Sequence, residues 1–353
     1  MFRSTDFATV TVTCALALSA CGGTSIATQP LPAADSGAVD TGIAADAAAD
    51  AAVEAGLVGT SPMTDARALF ATATAPDGRV VVMGGETPGF LVQSTEIYAP
   101  KTNTWSTASA PFARYAFAAV VGKDGRIYAV AGATGNASAT DRLDAYDVTK
   151  DVWESLPKLP SRRLGLAAAA APDGRIFAIG GRDETSTWLN SVDIFDPKLG
   201  TWTSGPPMTT KRFAAQAVTG SDGRIYVLGG RDESNTPLDT VEALDPGTGT
   251  WTTEAPMPTA RFWFGAAATP DGHIVALGGL GGMFLDQVDS YDVAKKSWST
   301  LAAMPEARAW VGAAAGKDGR VFALGGSPPG LGDFPPPTEK VMVYTPATGT
   351  WAW

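Results

Sequence analysis

The chain contains few of the side chains that bind metals or form disulfides. Its 353 residues include two cysteines, Cys14 and Cys21, and one histidine, His273. Cys14 lies in a segment that we expect to be removed, so a disulfide framework and a thiolate-bound metal are excluded. Because His273 falls in a predicted turn, neither a Ser/His/Asp triad nor a His-rich metal site can be assembled. The sequence therefore predicts no metal, no cofactor and no catalytic set.

Basic residues are missing from the N-terminal part of the chain, where no Lys or Arg occurs between Arg3 and Arg67. Residues 22–60 are rich in Ala, Gly, Thr and Pro and carry scattered Asp and Glu. Such a composition buries too little apolar surface to fold alone, so we predict a flexible acidic tether over residues 21–60. Without residues 1–54 the chain has 30 acidic and 25 basic residues. This mild negative charge disfavours nucleic acid as a partner.

The N-terminus also has no apolar run long enough to cross a membrane. The apolar stretch at residues 7–20 has 14 residues, which is too short for a bilayer and is typical of an export signal. It ends in Leu18-Ser19-Ala20-Cys21, which resembles the lipobox of bacterial lipoproteins. The resemblance implies a signal peptide at residues 1–20, a lipid on Cys21 and a place in the bacterial cell envelope, anchored to the outer membrane. An ordinary signal peptide with a chance cysteine is the alternative.

What the chain has in abundance is one short pattern, repeated six times from about residue 61 to the end. Each copy carries an Arg and, 17 residues later, a Gly-Gly pair, of which one copy has Ala131-Gly132 instead. The copies recur every 47 to 49 residues, a period that predicts a propeller or another repeat array. The arginines of the six copies are Arg67, Arg114, Arg163, Arg212, Arg261 and Arg308.

Each copy predicts four short strands, as the third copy shows. Apolar runs at residues 164–171 and 176–179 flank Asp173-Gly174, a strong hairpin signal because a type I′ turn needs positive φ at both central residues. A third strand at Val192–Phe195 and a fourth around Trp202 follow. The first strands are rich in Ala and Gly, which suits the crowded innermost strand of a propeller, and the large aromatics belong further out. The repeated tryptophans are Trp105, Trp153, Trp202, Trp251, Trp298 and Trp351.

Paired glycines, a third-strand aromatic and a Trp seven residues later resemble the kelch repeat, over about 290 residues and all six copies. The departures are Ala131 in one glycine pair and Leu244 at one aromatic position. The resemblance implies an all-β, six-bladed kelch β-propeller with four-stranded antiparallel blades at residues 61–353. The last copy has its own fourth strand, so the ring closes either by packing of blade one against blade six or by addition of residues 55–63 to blade six.

The six arginines are the first candidate for a ligand site. Equivalent positions in six blades circle one mouth of the axial channel, which is the usual ligand face of kelch domains. Guanidinium groups there could bind carboxylates or sulfates through paired hydrogen bonds. The alternative is structural: each Arg pairs with a carboxylate or carbonyls of a neighbouring blade. Five carboxylates two residues before the third-strand aromatic repeat as well, and we expect them to have a structural role: Glu96, Asp144, Asp193, Glu242 and Asp289.

The loops after the glycine pairs differ between copies, and specificity is expected where copies disagree. They supply the candidate carboxylates Glu86, Asp183 and Asp232. Trp263 and Trp310 lie outside the repeated Trp position and follow arginines of the ring. Aromatic rings beside arginines and carboxylates suit sugars or peptides, although packing between blades would also explain them.

Two functions remain open on these residues. The first is a membrane-anchored envelope module that uses one propeller face to bind a protein or glycan ligand, or acts as a scaffold. The second is a sugar-active enzyme of the sialic acid mutarotase type, since six-bladed kelch propellers include such enzymes. Anomer exchange needs only an acid and a base near the ring oxygen. No motif selects that pair here, so a binding role without catalysis is the principal expectation; the oligomeric state is not indicated.

Overall fold

A computed structural model describes residues 59–332 and 334–353. The predicted signal peptide, the lipid site at Cys21 and the tether as far as residue 58 lie outside these residues. Within them the chain is all-β, with one short 3-10 turn at Gly135–Ala137. No helix in this part of the chain is long and apolar enough to span a bilayer.

Six four-stranded antiparallel sheets form the blades of a propeller, as predicted. Blade 1 contains β1 (Ala71–Thr74), β2 (Val80–Met83), the short pair β3 (Glu86–Thr87) and β4 (Phe90–Leu91), β5 (Thr95–Ala99) and β6 (Thr104–Ala108). Blade 2 contains β7 (Ala118–Val121), β8 (Ile127–Val130), the short pair β9 (Ala133–Thr134) and β10 (Ser138–Ala139), β11 (Leu143–Asp147) and β12 (Val152–Leu156). Blade 3 contains β13 (Ala167–Ala170), β14 (Ile176–Ile179), β15 (Val192–Asp196) and β16 (Thr201–Gly205).

Blades 4 to 6 repeat this order without the short extra pairs. Within each blade the four long strands lie side by side in chain order, from the axis outward. Blade 4 contains β17 (Gln216–Thr219), β18 (Ile225–Leu228), β19 (Val241–Asp245) and β20 (Thr250–Glu254). Blade 5 contains β21 (Gly265–Ala268), β22 (His273–Leu277), β23 (Val288–Asp292) and β24 (Ser297–Thr300). Blade 6 contains β25 (Gly312–Ala315), β26 (Val321–Leu324), β27 (Val341–Thr345) and β28 (Thr350–Ala352).

The innermost strands are packed so closely that small side chains are required, which confirms the prediction from their Ala and Gly content. A Cβ on Gly265 would lie 2.7 Å from the Cβ of Ala313 in the next blade. A Cβ on Gly312 would lie 2.6 Å from Cγ2 of Thr72. The first strands begin later than the sequence predicts, at Ala71 rather than Ala68 in blade 1, because a residue in left-handed conformation interrupts the extended chain before them.

The repeated tryptophans fix the outer strands to the chain that enters each blade. Tyr146 and Trp153 form a cross-strand pair with ring centroids 4.7 Å apart, and the other blades have the equivalent pair. The indole Nε1 of Trp153 donates a hydrogen bond of 2.9 Å to the carbonyl of Ser109, in the linker that leads into blade 2. All six tryptophans make this bond. In five blades the Trp also packs on an aromatic ring of the third strand, and in blade 4 its cross-strand partner is Leu244.

Blade 1 packs directly against blade 6 and closes the ring. Thr72 Oγ1 donates to the carbonyl of Ala313 at 2.8 Å, and the N–H of Gly326 donates to the carbonyl of Arg67 at 2.9 Å. The entering segment adds two contacts, from the N–H of Thr60 to the carbonyl of Trp353 and from the N–H of Met63 to that of Glu339. Among the described residues this segment forms no strand. The ring therefore closes by packing of blade 1 against blade 6, the first of the two predicted alternatives.

Candidate functional site

The six repeated arginines lie inside the blades, with side chains 0–1% exposed. In each blade Nη1 donates to the carbonyl of the first residue of the glycine pair, as Arg114 does to Ala131 at 3.0 Å. The bond spans the same 17 residues in all six blades, which explains why that spacing never changes. A one-residue insertion would move this carbonyl away and leave a donor of a buried guanidinium group without one of its hydrogen bonds.

The second nitrogen, Nη2, binds a carboxylate of the same blade in five cases. Arg114 contacts Asp144 at 2.9 Å, and Arg212 contacts Glu242 at 2.6 Å. The other pairs are Arg67 with Glu96, Arg163 with Asp193 and Arg261 with Asp289. In blade 6 Met342 occupies the carboxylate position, and Arg308 pairs at 3.0 Å with Glu306 instead. These five carboxylates therefore have the structural hydrogen-bonding role that the sequence predicts.

The backbone of the same arginines joins neighbouring blades. The second residue of each glycine pair donates its N–H to the carbonyl of the next blade's Arg, at 2.8–2.9 Å in all six junctions. The side chain of each Arg thus forms hydrogen bonds within its own blade, while its backbone carbonyl accepts a hydrogen bond from the preceding blade. The ligand-facing alternative for Arg67, Arg114, Arg163, Arg212, Arg261 and Arg308 has no support here, since none of these guanidinium groups reaches the mouth. The structural alternative also needs correction: their partners lie in the same blade, not in the next one.

The mouth itself is formed two residues after each Arg, by residues that all have positive φ between 50° and 58°. Five backbone hydrogen bonds of 2.7–3.1 Å link them from blade to blade. Below them lies an axial cavity of about 110 Å³, lined mostly by Ala and Gly of the first strands together with larger side chains such as Phe70 and Phe117. We call the face that carries this mouth and the loops after the glycine pairs the upper face. The residues of the mouth are Leu69, Ala116, Gly165, Ala214, Trp263 and Trp310.

Arg182 and Arg231 stand above this mouth in blades 3 and 4. Both directly follow the glycine pair, and their guanidinium carbons lie 5.5 Å and 5.1 Å from the centroid of the Phe213 ring between them. Arg231 also lies 5.3 Å from the ring of Trp188 and 5.1 Å from that of Phe262. Within the described residues neither arginine forms an ion pair, and the buried Nε of each has no hydrogen-bond partner.

The two guanidinium groups are close enough to affect one another. Burial lowers the pKa of Arg231, and the neighbouring charge of Arg182 lowers it further. Two half-buried cations over aromatic rings, without an ion-pair partner among the described residues, create a positive potential that an anion would relieve. A planar carboxylate between two guanidinium forks is the group that fits this arrangement best.

The predicted carboxylates Asp183 and Asp232 do not face this mouth. Asp183 accepts hydrogen bonds from the N–H groups of Thr185 and Thr187, at 2.8 Å and 2.9 Å. Asp232 does the same with Ser234 and Thr236. Each therefore caps its own loop, and the structure does not bring these two residues into a common site with the ring.

The third predicted carboxylate, Glu86, does lie on the upper face. Its backbone pairs with that of Ala68, at the position that Arg182 and Arg231 occupy in their blades. Burial raises the pKa of Glu86 to about 7. Tyr115 belongs to the next blade, and its pKa is raised by burial and by the charge of Glu86 and lowered by the charge of Arg182. An acid, a phenol and two guanidinium groups thus follow one another around the mouth.

The two predicted tryptophans are part of the same mouth. Trp263 packs edge-on against Phe213 with centroids 5.1 Å apart. Trp310 lies 4.7 Å from Phe334 and 5.9 Å from Phe284. Both tryptophans are half-buried, so each contributes to packing between blades and also shows part of its ring to the mouth.

Sequence reasoning missed Arg182, Arg231 and Tyr115 as site residues. A usable signal was present, because blades 3 and 4 share the string Gly-Gly-Arg-Asp-Glu and the other blades have Glu, Ala, Leu or Ser after the pair. Two neighbouring copies that agree with each other and differ from the rest place two like charges side by side. Among the described residues no cluster of three or more His, Cys, Asp or Glu could hold a metal ion.

Comparisons with known proteins agree with this architecture. A family model described as "KLHDC2/KLHL20/DRC7 Kelch-repeats domain" matches residues 70–279 and 157–326. A solved structure titled "Structure of YjhT" superposes with a TM-score of 0.69, covering 82% of this chain and 98% of that chain at 14% sequence identity. At this identity the superposition shows a shared fold. No curated protein sequence matches the chain.

Proposed function

Because this chain belongs to the kelch-repeat family, whose propeller fold supports protein-binding and scaffold roles, we propose that it is a binding protein that holds a carboxylate of its ligand on the upper face. The observation that carries the proposal is the pair Arg182 and Arg231, half-buried, adjacent and without a counter-charge in the described chain. The ligand is an acidic glycan or an acidic segment of a protein. The surrounding rings of Phe213, Trp188 and Trp263 favour a ligand with an apolar face next to its carboxylate.

Replacing Arg182 and Arg231 by alanine is expected to abolish binding of such a ligand. Each charge-assisted contact contributes about 1.5–3 kcal/mol, so each single variant should weaken binding by about 10- to 150-fold. The measurement is isothermal titration calorimetry with N-acetylneuraminate, glucuronate and a short acidic peptide as probes. The methyl esters of the two sugar acids, which lack the charge, should bind no better to the native protein than to the variants.

The matched control is the pair Arg162→Ala and Lys211→Ala. These basic residues lie in the same two blades, but they are exposed and pair with Glu184 at 3.7 Å and Glu233 at 2.9 Å. The control changes the net charge by the same amount and leaves the mouth intact. Equal losses in the two double variants would attribute binding to overall charge and refute a site at Arg182 and Arg231.

A second function, a sugar-active enzyme of the sialic acid mutarotase type, is favoured by one observation. Glu86 lies on the upper face, where burial raises its pKa to about 7, so near neutral pH both its acid and its base forms are present. Exchange of sugar anomers needs a proton donor and a proton acceptor of this kind. Arg182 and Arg231 would hold the carboxylate of an acidic sugar while Glu86 moves the proton.

On this second function we expect Glu86→Gln to lower the rate of anomer exchange by about 10²- to 10⁴-fold, as removal of a general acid–base catalyst does. Exchange is followed by NMR with freshly dissolved N-acetylneuraminate. In the native protein the rate should change through pH 7 as Glu86 titrates, and this step should vanish in the Gln variant. Exchange by the native protein no faster than in buffer would leave binding without catalysis.

The cellular location is proposed from residues outside the described part of the chain. We propose export, lipid attachment at Cys21 and anchoring in the bacterial cell envelope, at the outer membrane. In cells grown with labelled palmitate, Cys21→Ser should abolish labelling while Cys14→Ser should not. Labelling that persists in the Cys21 variant would contradict this proposal.

A further inference from the structure

A second cavity, open to solvent and about 460 Å³ in volume, lies in blade 1. It is bounded by the chain that enters the blade and by the loop after the glycine pair. None of its lining residues belongs to the mouth or to the axial cavity. The lining includes a carboxylate, two hydroxyl groups, an amide and an apolar side chain, on Asp65, Thr64, Thr87, Gln93 and Leu91. This cavity is therefore separate from the arginine pair above the mouth.

Asp65 is held in the wall of this cavity by one of its two carboxylate oxygens. Oδ2 accepts hydrogen bonds from Ser94 Oγ at 2.6 Å and from Arg67 Nη2 at 3.2 Å. The backbone N–H groups of Thr64 and Asp65 both donate to Glu96, at 2.6 Å and 3.1 Å, and this fixes the chain at that point. Oδ1 accepts no hydrogen bond from the described residues, and the side chain is 46% exposed. The carboxylate is therefore oriented in advance, which lowers the entropy cost of binding a ligand.

Blade 1 also has one carboxylate more than its repeated Arg needs. Arg67 contacts two carboxylates, Asp65 and Glu96, whereas the repeated Arg of every other blade contacts one. Glu96 is buried with Arg67 and neutralises its charge. Among the described residues Asp65 therefore has no cation of its own, and a positively charged ligand would restore the balance.

Blade 6 has a lysine at the equivalent point. Glu306 takes the place of Asp65, two residues before the repeated Arg. Lys340 takes the place of Ser94, because the carbonyl of each accepts from the N–H of the first glycine of the pair, at 3.1 Å in both blades. In blades 2 to 5 the first of these places holds an uncharged residue: Phe112, Ser161, Thr210 and Thr259. Of the six blades described, only blade 1 combines a carboxylate at the first place with an uncharged residue at the second.

We propose that the cavity of blade 1 binds the primary ammonium group of a small ligand. An ammonium group has three donors and no acceptor, so it needs a wall of oxygen acceptors. Oδ1 of Asp65 supplies the negative charge, and the hydroxyl oxygens of Thr64 and Thr87 add acceptors. Gln93 adds Oε1, because its Nε2 already donates to the carbonyl of Ala110 at 3.2 Å. The inference goes beyond the proposed function, since the bound group is a cation and the cavity contains neither arginine of the mouth.

The test is a ligand-observed NMR titration of the full chain with two amines, glucosamine and Nα-acetyl-lysine amide. We expect binding, and the amine that binds more tightly identifies an amino sugar or an amino-acid side chain as the source. N-acetylation of either amine removes its charge and should weaken binding about fivefold or more, as should Asp65→Asn, because a half-exposed ion pair contributes about 1 kcal/mol. Ser94→Lys should weaken binding as well, since it places an ammonium group beside Asp65, and blade 6 shows that a lysine fits at this point.

The matched control is Glu233→Gln, which removes an exposed carboxylate of blade 4 and should leave amine binding unchanged. An equal loss in this control would attribute binding to overall charge and overturn the inference. No binding of either amine by the native protein would overturn it as well, as would full binding by Ser94→Lys, which decides the matter if Asp65→Asn does not fold. Arg182→Ala/Arg231→Ala should bind the amines normally, so this result and the test of the proposed function fail independently.

Discussion

Asp289→Asn is expected to destabilise the propeller by about 3–5 kcal/mol, because it leaves the guanidinium group of Arg261 buried without a counter-charge. Both side chains are fully buried. Burial lowers the pKa of Arg261, and the negative charge of Asp289 opposes that effect. The carboxylate therefore stabilises the charged form of the buried guanidinium group. Asp289 further accepts from Thr300 Oγ1 at 2.9 Å and from Gln287 Nε2 at 3.0 Å, and an Asn amide cannot accept all these bonds.

The comparison is with Asp318→Asn, which removes an exposed ion pair to Arg320 at 2.7 Å in the turn of blade 6. That change should cost about 1 kcal/mol or less, since exposed pairs contribute little. Urea unfolding followed by tryptophan fluorescence gives both values. Equal losses at the two positions would refute the claim that the buried pair supports its blade.

Blade 6 also suggests a rescue. There a Met occupies the carboxylate position, and Glu306, two residues before Arg308, supplies the charge instead. Thr259 holds the same place relative to Arg261. Thr259→Glu should therefore restore part of the stability lost in Asp289→Asn, and it should have little effect in the native background.

Gly132→Ala is the second change with a large expected effect, about 3 kcal/mol or more of destabilisation. Gly132 has φ +100°, and an added Cβ would overlap Cβ of Phe117 and lie 2.8 Å from the carbonyl oxygen of Tyr115. Backbone atoms cannot move aside as a flexible side chain can, so both the positive φ and the overlap cost free energy. The N–H of Gly132 also holds the carbonyl of Arg163 at 2.9 Å, so a shift there would open the junction of blades 2 and 3.

The neighbouring residue gives the matched control. Ala131 stands at the first position of the pair with φ 53°, and it is the one non-glycine among the twelve residues of the six pairs. Ala131→Gly should change the free energy of unfolding by about 1 kcal/mol or less. Denaturant unfolding of both variants tests the asymmetry. A Gly132→Ala protein as stable as the native one would show that the second glycine is dispensable.

The fold was predictable because its causes are local and repeated. The Asp-Gly pairs turn the chain between the first two strands as predicted, but only their glycine has positive φ, +102° at Gly174, so the predicted type I′ turn was wrong. Small residues suit the inner strands, and the Tyr–Trp spacing sets a cross-strand pair; each of these can be read in a single copy. The 17-residue spacing between Arg and glycine pair was visible as well. What it did not reveal was its cause, a bond from the guanidinium group to the carbonyl of the first pair residue, because a spacing does not say which atoms meet.

The candidate site shows where prediction stopped. The sequence allowed the six repeated arginines to be interpreted as a ligand-binding ring. The structure places them inside the blades instead, bound to carboxylates about 30 residues away in the chain. Asp183 and Asp232 cap their own loops. Arg182 and Arg231, in contrast, became a pair because consecutive blades bring the same position of two copies next to each other around the axis.

The sequence by itself determined the number of blades, the four long strands of each blade and the positions where copies differ, because these depend on turn chemistry and on a repeat period. Only the tertiary structure decided which charges are buried and paired and which stand open on the upper face. Burial and pairing depend on side chains from separate strands and blades, and their meeting points follow from how the ring closes rather than from any one copy.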